Sequence, residues 1–393
     1  MKLIKDGVYY CGVEDFGRRI FDQLIPLPNG TTYNSYYIEG SQKRALIDTS
    51  YSKTIKEFIE KLNGKGEFID YVIANHAEGD HSEALVKVLQ MNPNAKVVTN
   101  KKCMELLIDQ YGIPQDKFQT VNDGDEISLG DKTLRFHLAP WVHWPDTMFT
   151  HLVEDNILFT CDFLGAHITF EQGQFYAQET QEYLLSAKRY YAEIMMPFRP
   201  HCKKYIEKVE QINPSMICPS HGGIYKNPDF ILNAYREWTC DTPKNKVVIP
   251  YVSMYQNTER MVDRLVEKLR EENVEAHKFD LIKDDIGDLA VELVDAATVV
   301  FGASMVLAMP HPYAFFGVYL TNALRPNVKF MSIIGSYGWG GNLTGKIEEN
   351  TNLLQVEKLD YITFKGRAKE EDIERLDALA HTIAKKHKEI GAR

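Results

Sequence analysis

The sequence predicts two domains of different fold class, an α+β layered domain followed by an α/β domain with a doubly wound parallel sheet of five strands. Three observations lead to this prediction. A length of 393 residues, at roughly 150 residues per domain, allows two or three domains. The polar connector Asp241–Lys246, which contains a proline, separates two halves with different patterns and places the domains at 1–243 and 244–393. Strands and helices alternate regularly only after that connector.

Before the connector, short strand-like runs and helices mix without strict alternation, which predicts helices packed outside layered sheets. The strand candidates are Ala45–Asp48, Tyr71–Ala74, Lys96–Thr99, Lys132–Leu138, Met148–Glu154 and Asn156–Cys161. The helix candidates are Ser52–Leu62, Ser82–Gln90 and Thr180–Ala192.

After the connector, each strand candidate is followed by a helix candidate, the pattern of a parallel sheet with crossover helices. The strands are expected at Val247–Tyr251, Ala276–Leu281, Thr298–Phe301, Lys329–Ile334 and Tyr361–Phe364. The helices are expected at Glu259–Glu272, near Leu289, at Tyr313–Leu324, near Lys346 and at Glu370–Lys386.

The composition excludes several classes of protein. With 44% hydrophobic and 25% charged residues the chain is not disordered, and a net charge of -10 without a Lys/Arg block argues against a nucleic-acid or anionic membrane partner. The uncharged stretch from Ala296 to Leu324 is split by Pro310 and Pro312, so neither part is long enough to span a membrane. Six cysteines without a C-x-x-C pair and an amino terminus without a signal peptide predict a soluble cytoplasmic protein.

The segment Asn75–Ser82 is the most informative part of the chain, because it places four metal-competent donors directly after a buried strand. In an extended segment alternate side chains share a face, so His76, Glu78 and Asp80 can point the same way, with His81 next to them. A solvated polar loop is the alternative interpretation, but four donors at this spacing favour a metal site.

Three further donors lie near other strand ends. His143 lies in Trp141–Asp146, and His221 lies in Cys218–Gly223. Asp162 comes directly after the strand candidate that ends at Cys161. Each alone is a weak signal, because a single histidine is more often an ordinary core residue. Together with the first cluster they complete a set of seven donors, more than one four-coordinate site can use.

These residues resemble the metal ligands of the metallo-β-lactamase fold, which has a His-x-His-x-Asp-His cluster followed by a His, an Asp and a last His. This chain has Glu78 where the hydrolases have histidine. A carboxylate in place of an imidazole hardens the site and favours iron over zinc. The pattern His-x-Glu-x-Asp-His is similar to that of the flavodiiron proteins, and His143–Met148 resembles the signature around their third ligand.

The resemblance implies an amino-terminal metallo-β-lactamase-like αββα sandwich that holds two irons. It assigns His76, Glu78 and His143 to one iron and Asp80, His81 and His221 to the other, with Asp162 as the bridge. His167 is a candidate neighbour of the ligands, and Asp48 is expected to support the site structurally.

A candidate cofactor site follows the first strand of the second domain, at Ser253–Thr258. Hydroxyl groups, an amide and free backbone N–H groups at a helix start can bind a terminal phosphate, although an ordinary helix cap would look similar. The run resembles the flavodoxin phosphate loop, with Gln256 at the usual glycine position. The resemblance implies FMN. The candidate contacts are Ser253, Met254, Tyr255, Gln256, Asn257, Thr258, Ser304, Met305, Ser336, Tyr337, Gly338, Trp339 and Gly340.

Because both motif sets occur in order, the chain resembles a flavodiiron protein of the minimal two-domain type. The resemblance implies an oxidoreductase that reduces dioxygen to water, or nitric oxide to nitrous oxide, at a diiron site supplied with electrons by FMN. The donor would be a reduced deazaflavin, a rubredoxin or a reductase, and the assembly a homodimer or a dimer of dimers. A zinc hydrolase, or a flavodoxin-like electron carrier with a structural metal, remains as an alternative.

Overall fold

The computed structural model describes residues 1–62, 64–170 and 173–393, which divide into two compact units. The amino-terminal unit comprises Met1–Tyr191 and Phe198–Glu237, and the carboxyl-terminal unit comprises Ala192–Pro197 and Trp238–Arg393. The division in the chain therefore lies a few residues before the boundary expected between residues 243 and 244. The short segment Ala192–Pro197 groups with the second unit, a feature with no counterpart in the sequence pattern.

The amino-terminal unit contains two main sheets and seven α-helices among its described residues. Its strands are β1 (Lys2–Lys5), β2 (Val8–Tyr10), β3 (Val13–Asp15), β4 (Ile20–Phe21), β5 (Ile25–Pro26), β6 (Thr31–Tyr33), β7 (Tyr36–Glu39), β8 (Arg44–Ile47), β9 (Tyr71–Ile73), β10 (Lys96–Thr99), β11 (Phe118–Thr120), β12 (Glu126–Ser128), β13 (Thr133–Leu138), β14 (Met148–Leu152), β15 (Ile157–Cys161) and β16 (Met216–Pro219). Its helices are α1 (Ile55–Lys61), α2 (Gly79–Ser82), α3 (Leu85–Met91), α4 (Lys101–Tyr111), α5 (Gln181–Tyr190), α6 (Arg199–Ile212) and α7 (Pro228–Trp238).

The two sheets are mixed. The first has the order β1-β2-β7-β8-β9-β10-β11, with its β8 to β11 strands parallel. The second has the order β12-β13-β14-β15-β16, antiparallel except for the last pair. Strand pairs β3–β6 and β4–β5 form two small additional sheets.

Two apolar clusters hold this unit together. One contains inward-facing residues of both sheets, such as Ile47, Ile73, Phe136 and Phe159, and is therefore the layer between them. The other packs Phe58 and further helix residues against the opposite face of the first sheet. At about 25 cal/mol per Å² of buried apolar surface, such layers are the main stabilising contribution. The predicted layered sandwich is confirmed.

The carboxyl-terminal unit is the predicted doubly wound sheet. Its strands are β17 (Lys244–Tyr251), β18 (Glu275–Asp280), β19 (Ala296–Val306), β20 (Met309–Pro310), β21 (Phe330–Tyr337), β22 (Glu357–Lys358) and β23 (Ile362–Lys365). Its helices are α8 (Asn257–Glu271), α9 (Ile286–Leu293), α10 (Pro312–Leu324), α11 (Leu343–Glu349) and α12 (Glu370–Glu389). The spatial order is β18-β17-β19-β21, followed by β22 and β23, which both pair with β21 in parallel.

Several details differ from the expected pattern. The fifth strand position is filled by two short strands, β22 and β23, rather than one. Strand β19 runs beyond Phe301 to Val306 and folds back on itself through β20, because Leu307 and Ala308 adopt left-handed conformations that close a tight hairpin. The predicted helix at Thr180–Ala192 ends as α5 at Tyr190 and continues as a π-helix over Tyr191–Met195.

Within residues 1–62, 64–170 and 173–393, every helix is too short or too polar to cross a bilayer.

Candidate metal centre and cofactor cleft

Four loops at strand ends bring the seven predicted metal donors together. The segment Asn75–Ser82 follows β9, Asp162 follows β15, His221 follows β16, and His143 precedes β14. Helix α2 begins at Gly79, so the chain turns sharply after Glu78 and directs Asp80 and His81 to the same side. Six of the seven residues are buried, and Glu78 is half-buried.

The first donor group consists of His76, Glu78, His143 and one oxygen of Asp162. Glu78 Oε2 lies 3.2 Å from His76 Nε2 and 3.2 Å from His143 Nε2. Asp162 Oδ2 lies 3.7 Å from His76 Nε2 and 3.4 Å from His143 Nε2. These four atoms surround one point.

The second donor group consists of Asp80, His81, His221 and the other oxygen of Asp162. Asp162 Oδ1 lies 3.0 Å from His81 Nε2 and 3.3 Å from His221 Nε2. The Asp80 carboxylate lies 3.3 Å from His81 Nε2 and 3.1 Å from His221 Nε2. Asp162 therefore directs one oxygen to each group, the geometry of a carboxylate between two metals.

Several of the donor atoms find no hydrogen-bond partner within the protein, as expected for atoms that bind cations. Both oxygens of Asp80, Nε2 of His81 and of His221, and Oδ2 of Asp162 are buried without a hydrogen-bond partner. Buried polar atoms normally find partners, because each unpaired one costs on the order of 1–3 kcal/mol. Cations placed between the imidazole and carboxylate groups would satisfy all of these atoms.

The pKa shifts show how strongly the site attracts positive charge. Burial alone would lower the pKa of His143, but the nearby carboxylates of Asp162 and Glu78 raise it to about 9. Burial would also lower the pKa of His221, but the nearby carboxylates of Asp162 and Asp80 raise it to about 10. Although burial favours its neutral form, the surrounding histidines hold the pKa of Asp162 well below its usual range. The carboxylates thus create a negative potential that favours the binding of protons or metal ions at the site.

Further contacts fix which ring nitrogen of a histidine faces the site. His76 Nδ1 donates to Asp146 Oδ2 at 3.0 Å, and that oxygen also accepts the Ala77 N–H at 2.8 Å. His221 Nδ1 donates to the Thr32 carbonyl at 2.6 Å. In both residues Nε2 is left for a metal, the usual arrangement at histidine ligands.

Asp48 connects two of the ligand loops. Its carboxylate accepts the Asn75 backbone N–H at 2.8 Å, the Asn75 side chain at 3.0 Å and the Ser220 hydroxyl at 3.2 Å. Asn75 precedes His76 and Ser220 precedes His221, so Asp48 holds both loops from outside the donor groups, as the sequence led us to expect.

Two residues beside the donors complete the site. His167, a sequence candidate, is buried, with its Nδ1 2.8 Å from the Thr31 hydroxyl and its Nε2 unpartnered. Tyr190 was not a candidate, yet its hydroxyl donates to Asp162 Oδ1 at 3.0 Å and its ring contacts that of His167. A buried tyrosine in a helix pattern looks like a core residue, so the sequence carries no signal for this contact.

The carboxyl-terminal unit contains a separate cleft of about 330 Å³, within the usual range for small-ligand sites. Among the predicted cofactor residues, those that line it are Met254, Tyr255, Asn257, Ser304, Met305, Ser336, Tyr337, Gly338 and Trp339. Gly340 lines an adjoining cavity that shares Met305 and Tyr337. Gly366, which follows β23, lines the cleft and was not a sequence candidate.

The remaining predicted residues shape one end of the cleft, where helix α8 begins. Gln256 adopts a left-handed conformation before the helix and its side chain makes no capping bond. The Ser253 hydroxyl accepts the Glu259 N–H at 3.2 Å, and the hydroxyls of Thr258 and Ser336 lie 2.8 Å apart. Free N–H groups at the start of a 15-residue helix can bind an anionic group.

Comparisons with known proteins agree with this arrangement of sites. A family model described as "ODP family beta lactamase" matches residues 31–222. The chain is 33% identical to the nitric oxide reductase of Moorella thermoacetica, covering 97% of both chains. It is 32% identical to the flavo-diiron protein FprA2 of Clostridium acetobutylicum, covering 86% of this chain and 87% of that protein. The structure matches rubredoxin oxygen:oxidoreductase from Desulfovibrio gigas over 100% of both chains, with a TM-score of 0.95 and 28% identity.

Proposed function

The chain belongs to the flavodiiron protein family, whose members are oxidoreductases with FMN and a diiron site, and from this premise we propose that it reduces dioxygen or nitric oxide. Dioxygen would take up four electrons and four protons to give two waters. Two molecules of nitric oxide would take up two electrons and two protons to give nitrous oxide and water. The observation that carries the proposal is Asp162, whose two oxygens face two separate, buried donor groups.

We assign the ligands from the two donor groups. His76, Glu78 and His143 would hold one iron, and Asp80, His81 and His221 would hold the other, with Asp162 between them. Support comes from the separations of 3.0–3.7 Å among the donor atoms and from the buried atoms that lack partners. When bound, two adjacent irons supply electrons to a small molecule that both can bind.

The surrounding residues orient the ligands, and one of them can hydrogen-bond a small molecule at the site. Asp146 and the Thr32 carbonyl fix the rings of His76 and His221 through their Nδ1 atoms. The Tyr190 hydroxyl donates to Asp162 Oδ1 and so withdraws electron density from the oxygen that faces the second group. His167, with Nε2 buried and unpartnered, is placed to hydrogen-bond a small molecule at the site.

Iron, rather than the zinc of a hydrolase, fits the chemistry of the donors. Glu78 replaces the imidazole that the hydrolases have, and hydrogen bonds to His143 and His76 overcome the effect of burial and lower its pKa, so it is an anion. A harder and more negative site favours a redox-active iron. Hydrolysis at a zinc site would also need no cofactor cleft in the second unit.

We propose that FMN occupies that cleft with its phosphate at Ser253–Thr258 and its ring toward Ser304, Met305 and Ser336–Trp339. The support is the start of α8, where the Gln256 side chain makes no capping bond, and the lining of the cleft. The electron donor would be a rubredoxin, a reductase or a reduced deazaflavin.

We further propose a homodimer, alone or paired into a dimer of dimers, in which the FMN of one subunit serves the irons of the other. A twofold assembly forms two such composite centres at once. We also propose a cytoplasmic location, since all six cysteines are free thiols in the structure, as a reducing compartment would keep them.

The proposal is tested by metal and flavin analysis combined with turnover. The purified protein should contain two irons and one FMN per chain and should consume dioxygen, nitric oxide or both when supplied with electrons. Zinc without flavin would identify a hydrolase, and flavin without iron would identify an electron carrier. Either result would overturn the assignment.

A further inference from the structure

Aromatic rings from three elements of the amino-terminal unit contact His221, a donor of the second group. The ring of His221 lies 5.9 Å from that of Tyr33, 5.9 Å from that of Tyr190 and 6.1 Å from that of Phe21. Tyr33 ends β6 and Tyr190 ends α5, whereas Phe21 ends β4, which pairs with β5 in a small hairpin. We call this hairpin, residues 20–26, the cover hairpin.

The cover hairpin is largely exposed, and Phe21 is an exception. Ile20 is 46% exposed and Leu24 43% exposed, and Asp22 and Gln23 in the turn are exposed as well. Phe21, by contrast, is only 5% exposed. Successive side chains of a strand point to opposite faces, so Phe21 points inward from a strand whose neighbouring side chain faces solvent. The cover hairpin therefore has solvent on one side and the ring of Phe21 on the other.

The ring of Phe21 contacts two histidines that face the candidate metal centre. Its centroid lies 4.5 Å from that of the His167 ring and 6.1 Å from that of the His221 ring. Both histidines are buried, and Nε2 of each has no hydrogen-bond partner. In the proposed function His221 Nε2 binds the second iron and His167 Nε2 hydrogen-bonds the small molecule. Phe21 would therefore border the space in which that molecule lies.

The turn of the cover hairpin has an uncommon backbone conformation. Asp22 has a φ of 49° and Gln23 a φ of 55°, and the Leu24 N–H donates to the Phe21 carbonyl at 2.9 Å. A two-residue turn of this kind needs a positive φ at both central positions, which favours Asn and Gly. Since neither residue is a glycine, contacts elsewhere must hold the turn. Residues held in such conformations cluster at functional sites.

Arg18 supplies contacts that hold the cover hairpin. Its guanidinium carbon lies 5.5 Å from the centroid of the Phe21 ring and 4.8 Å from that of the Tyr51 ring. Its Nε donates to the Ile20 carbonyl at 3.0 Å. A guanidinium within about 6 Å of a ring centroid is attracted to the ring. The ring of Phe21 therefore cannot turn away from the site without losing its contacts with both Arg18 and His167.

We propose that Phe21 limits the size of the molecules that reach the second metal position, so that diatomic gases enter and branched ligands do not. This inference rests on the proposed function and adds a specificity-determining residue to the same site. Its physical basis is steric. A ring that is held on two sides in a close-packed interior leaves no room for a bulky group, whereas a smaller side chain would leave a cavity at this place.

The test compares two carboxylates of different bulk on the full chain loaded with FMN and oxidised iron. Azide bound to ferric iron gives a visible absorption band, which a difference spectrum separates from the flavin. Formate and pivalate carry the same head group and would displace the azide, so the ratio of their inhibition constants measures the size limit. The variants are Phe21→Ala and Phe21→Leu. The matched control is Phe16→Ala, which removes a 56% exposed ring of the same chain segment.

In wild type we expect formate to displace azide on the order of a hundredfold more tightly than pivalate, and in Phe21→Ala this ratio should fall roughly tenfold. Phe21→Leu should give an intermediate ratio, and Phe16→Ala should keep that of wild type. An unchanged ratio in Phe21→Ala would overturn the proposal. An equal change for both carboxylates would overturn it too, because the ring would then act on the irons rather than on the space beside them. If Phe21→Ala loses its irons, Phe21→Leu decides by the same criteria. The iron content and the azide band of wild type report separately on the proposed function.

Discussion

At the scale of single residues, the candidate metal centre depends on hydrogen bonds that orient the donor atoms as well as on the donor residues themselves. Asp162 directs one oxygen to each donor group, and the Tyr190 hydroxyl donates to the oxygen of the second group at 3.0 Å. A hydrogen bond to one oxygen of a carboxylate weakens that oxygen as a metal donor. The two proposed metal positions are therefore chemically unequal.

Replacing Tyr190 by phenylalanine tests this inequality. Tyr190→Phe should keep both irons, because no proposed ligand is lost, but should change the Mössbauer parameters of mainly one iron. Tyr205→Phe is the control, since Tyr205 is buried in the same unit and packs on Phe149 away from the donors. Identical spectra for Tyr190→Phe and wild type would contradict the inequality.

Much of the donor set can be predicted from sequence, because metal ligands are few in type and are concentrated in short motifs. The contact of Tyr190 with Asp162 could not be predicted. Tyr190 is the last residue of α5, and a π-helix begins at the next residue. No sequence rule fixes where such a π-helical segment starts. Similarly, Gly366 has no side chain that could mark it as part of a cleft.

At the scale of elements, strand lengths and termini decide where the chemistry lies. Strands β19 and β21 run past the predicted ends, to Val306 and Tyr337, and so carry Ser304, Met305 and Ser336 into the cleft. The strands before β8 were not predicted. They have two to four residues each, and no helix lies between them, so helix patterns do not set them apart as they do β8, β9 and β10.

The start of α8 gives a prediction about the flavin phosphate. Asn257→Asp places a carboxylate at the proposed phosphate site, so the affinity for FMN should fall at least tenfold through charge repulsion. Affinity for riboflavin, which lacks the phosphate, should change little. Both are measured by quenching of flavin fluorescence on binding to the apoprotein. Equal losses for the two flavins would show that the phosphate lies elsewhere.

Helix α12 gives a prediction about pH. Burial lowers the pKa of His387 to about 4, and its ring bonds Thr298 Oγ1 at 2.7 Å and Asn245 Oδ1 at 2.8 Å. A histidine with a lowered pKa in the folded state stabilises the fold above its unfolded pKa of about 6.5, and this contribution is lost as the pH falls toward 4. By linkage, wild type should lose about 2 kcal/mol of unfolding free energy from this group between pH 8 and pH 5.

Urea unfolding of the full chain, followed by release of FMN, measures this loss. His387→Gln should be less stable at pH 8 and should show a flatter pH dependence. His381→Gln removes an exposed histidine of the same helix and should keep the wild-type slope. A wild-type slope in His387→Gln would rule out His387 as the titrating group.

At the scale of the whole molecule, electrons must pass between the two units, which are proposed to bind different cofactors. If each flavin serves the irons of a second subunit, activity should be restored in mixed dimers. One chain would carry Asp162→Ala and the other Asn257→Asp with Thr258→Glu. Each parent homodimer should be inactive, and verified mixed dimers should regain part of the gas reduction, because one intact flavin then faces one intact metal site. Persistent inactivity of the mixed dimers would contradict transfer between subunits.

We propose that reduced FMN delivers its electrons to the gas only through the metals that Asp162 and its neighbours would hold. Anaerobic reduction of the FMN-loaded protein tests this claim when it is followed by stopped-flow mixing with nitric oxide and, in parallel, with dioxygen while flavin absorbance is recorded. Wild type should reoxidise its flavin rapidly with at least one gas. Asp162→Ala should keep its FMN yet reoxidise at least a hundredfold more slowly, whereas the exposed control Asp109→Ala should match wild type. Rapid flavin reoxidation in Asp162→Ala would contradict the claim.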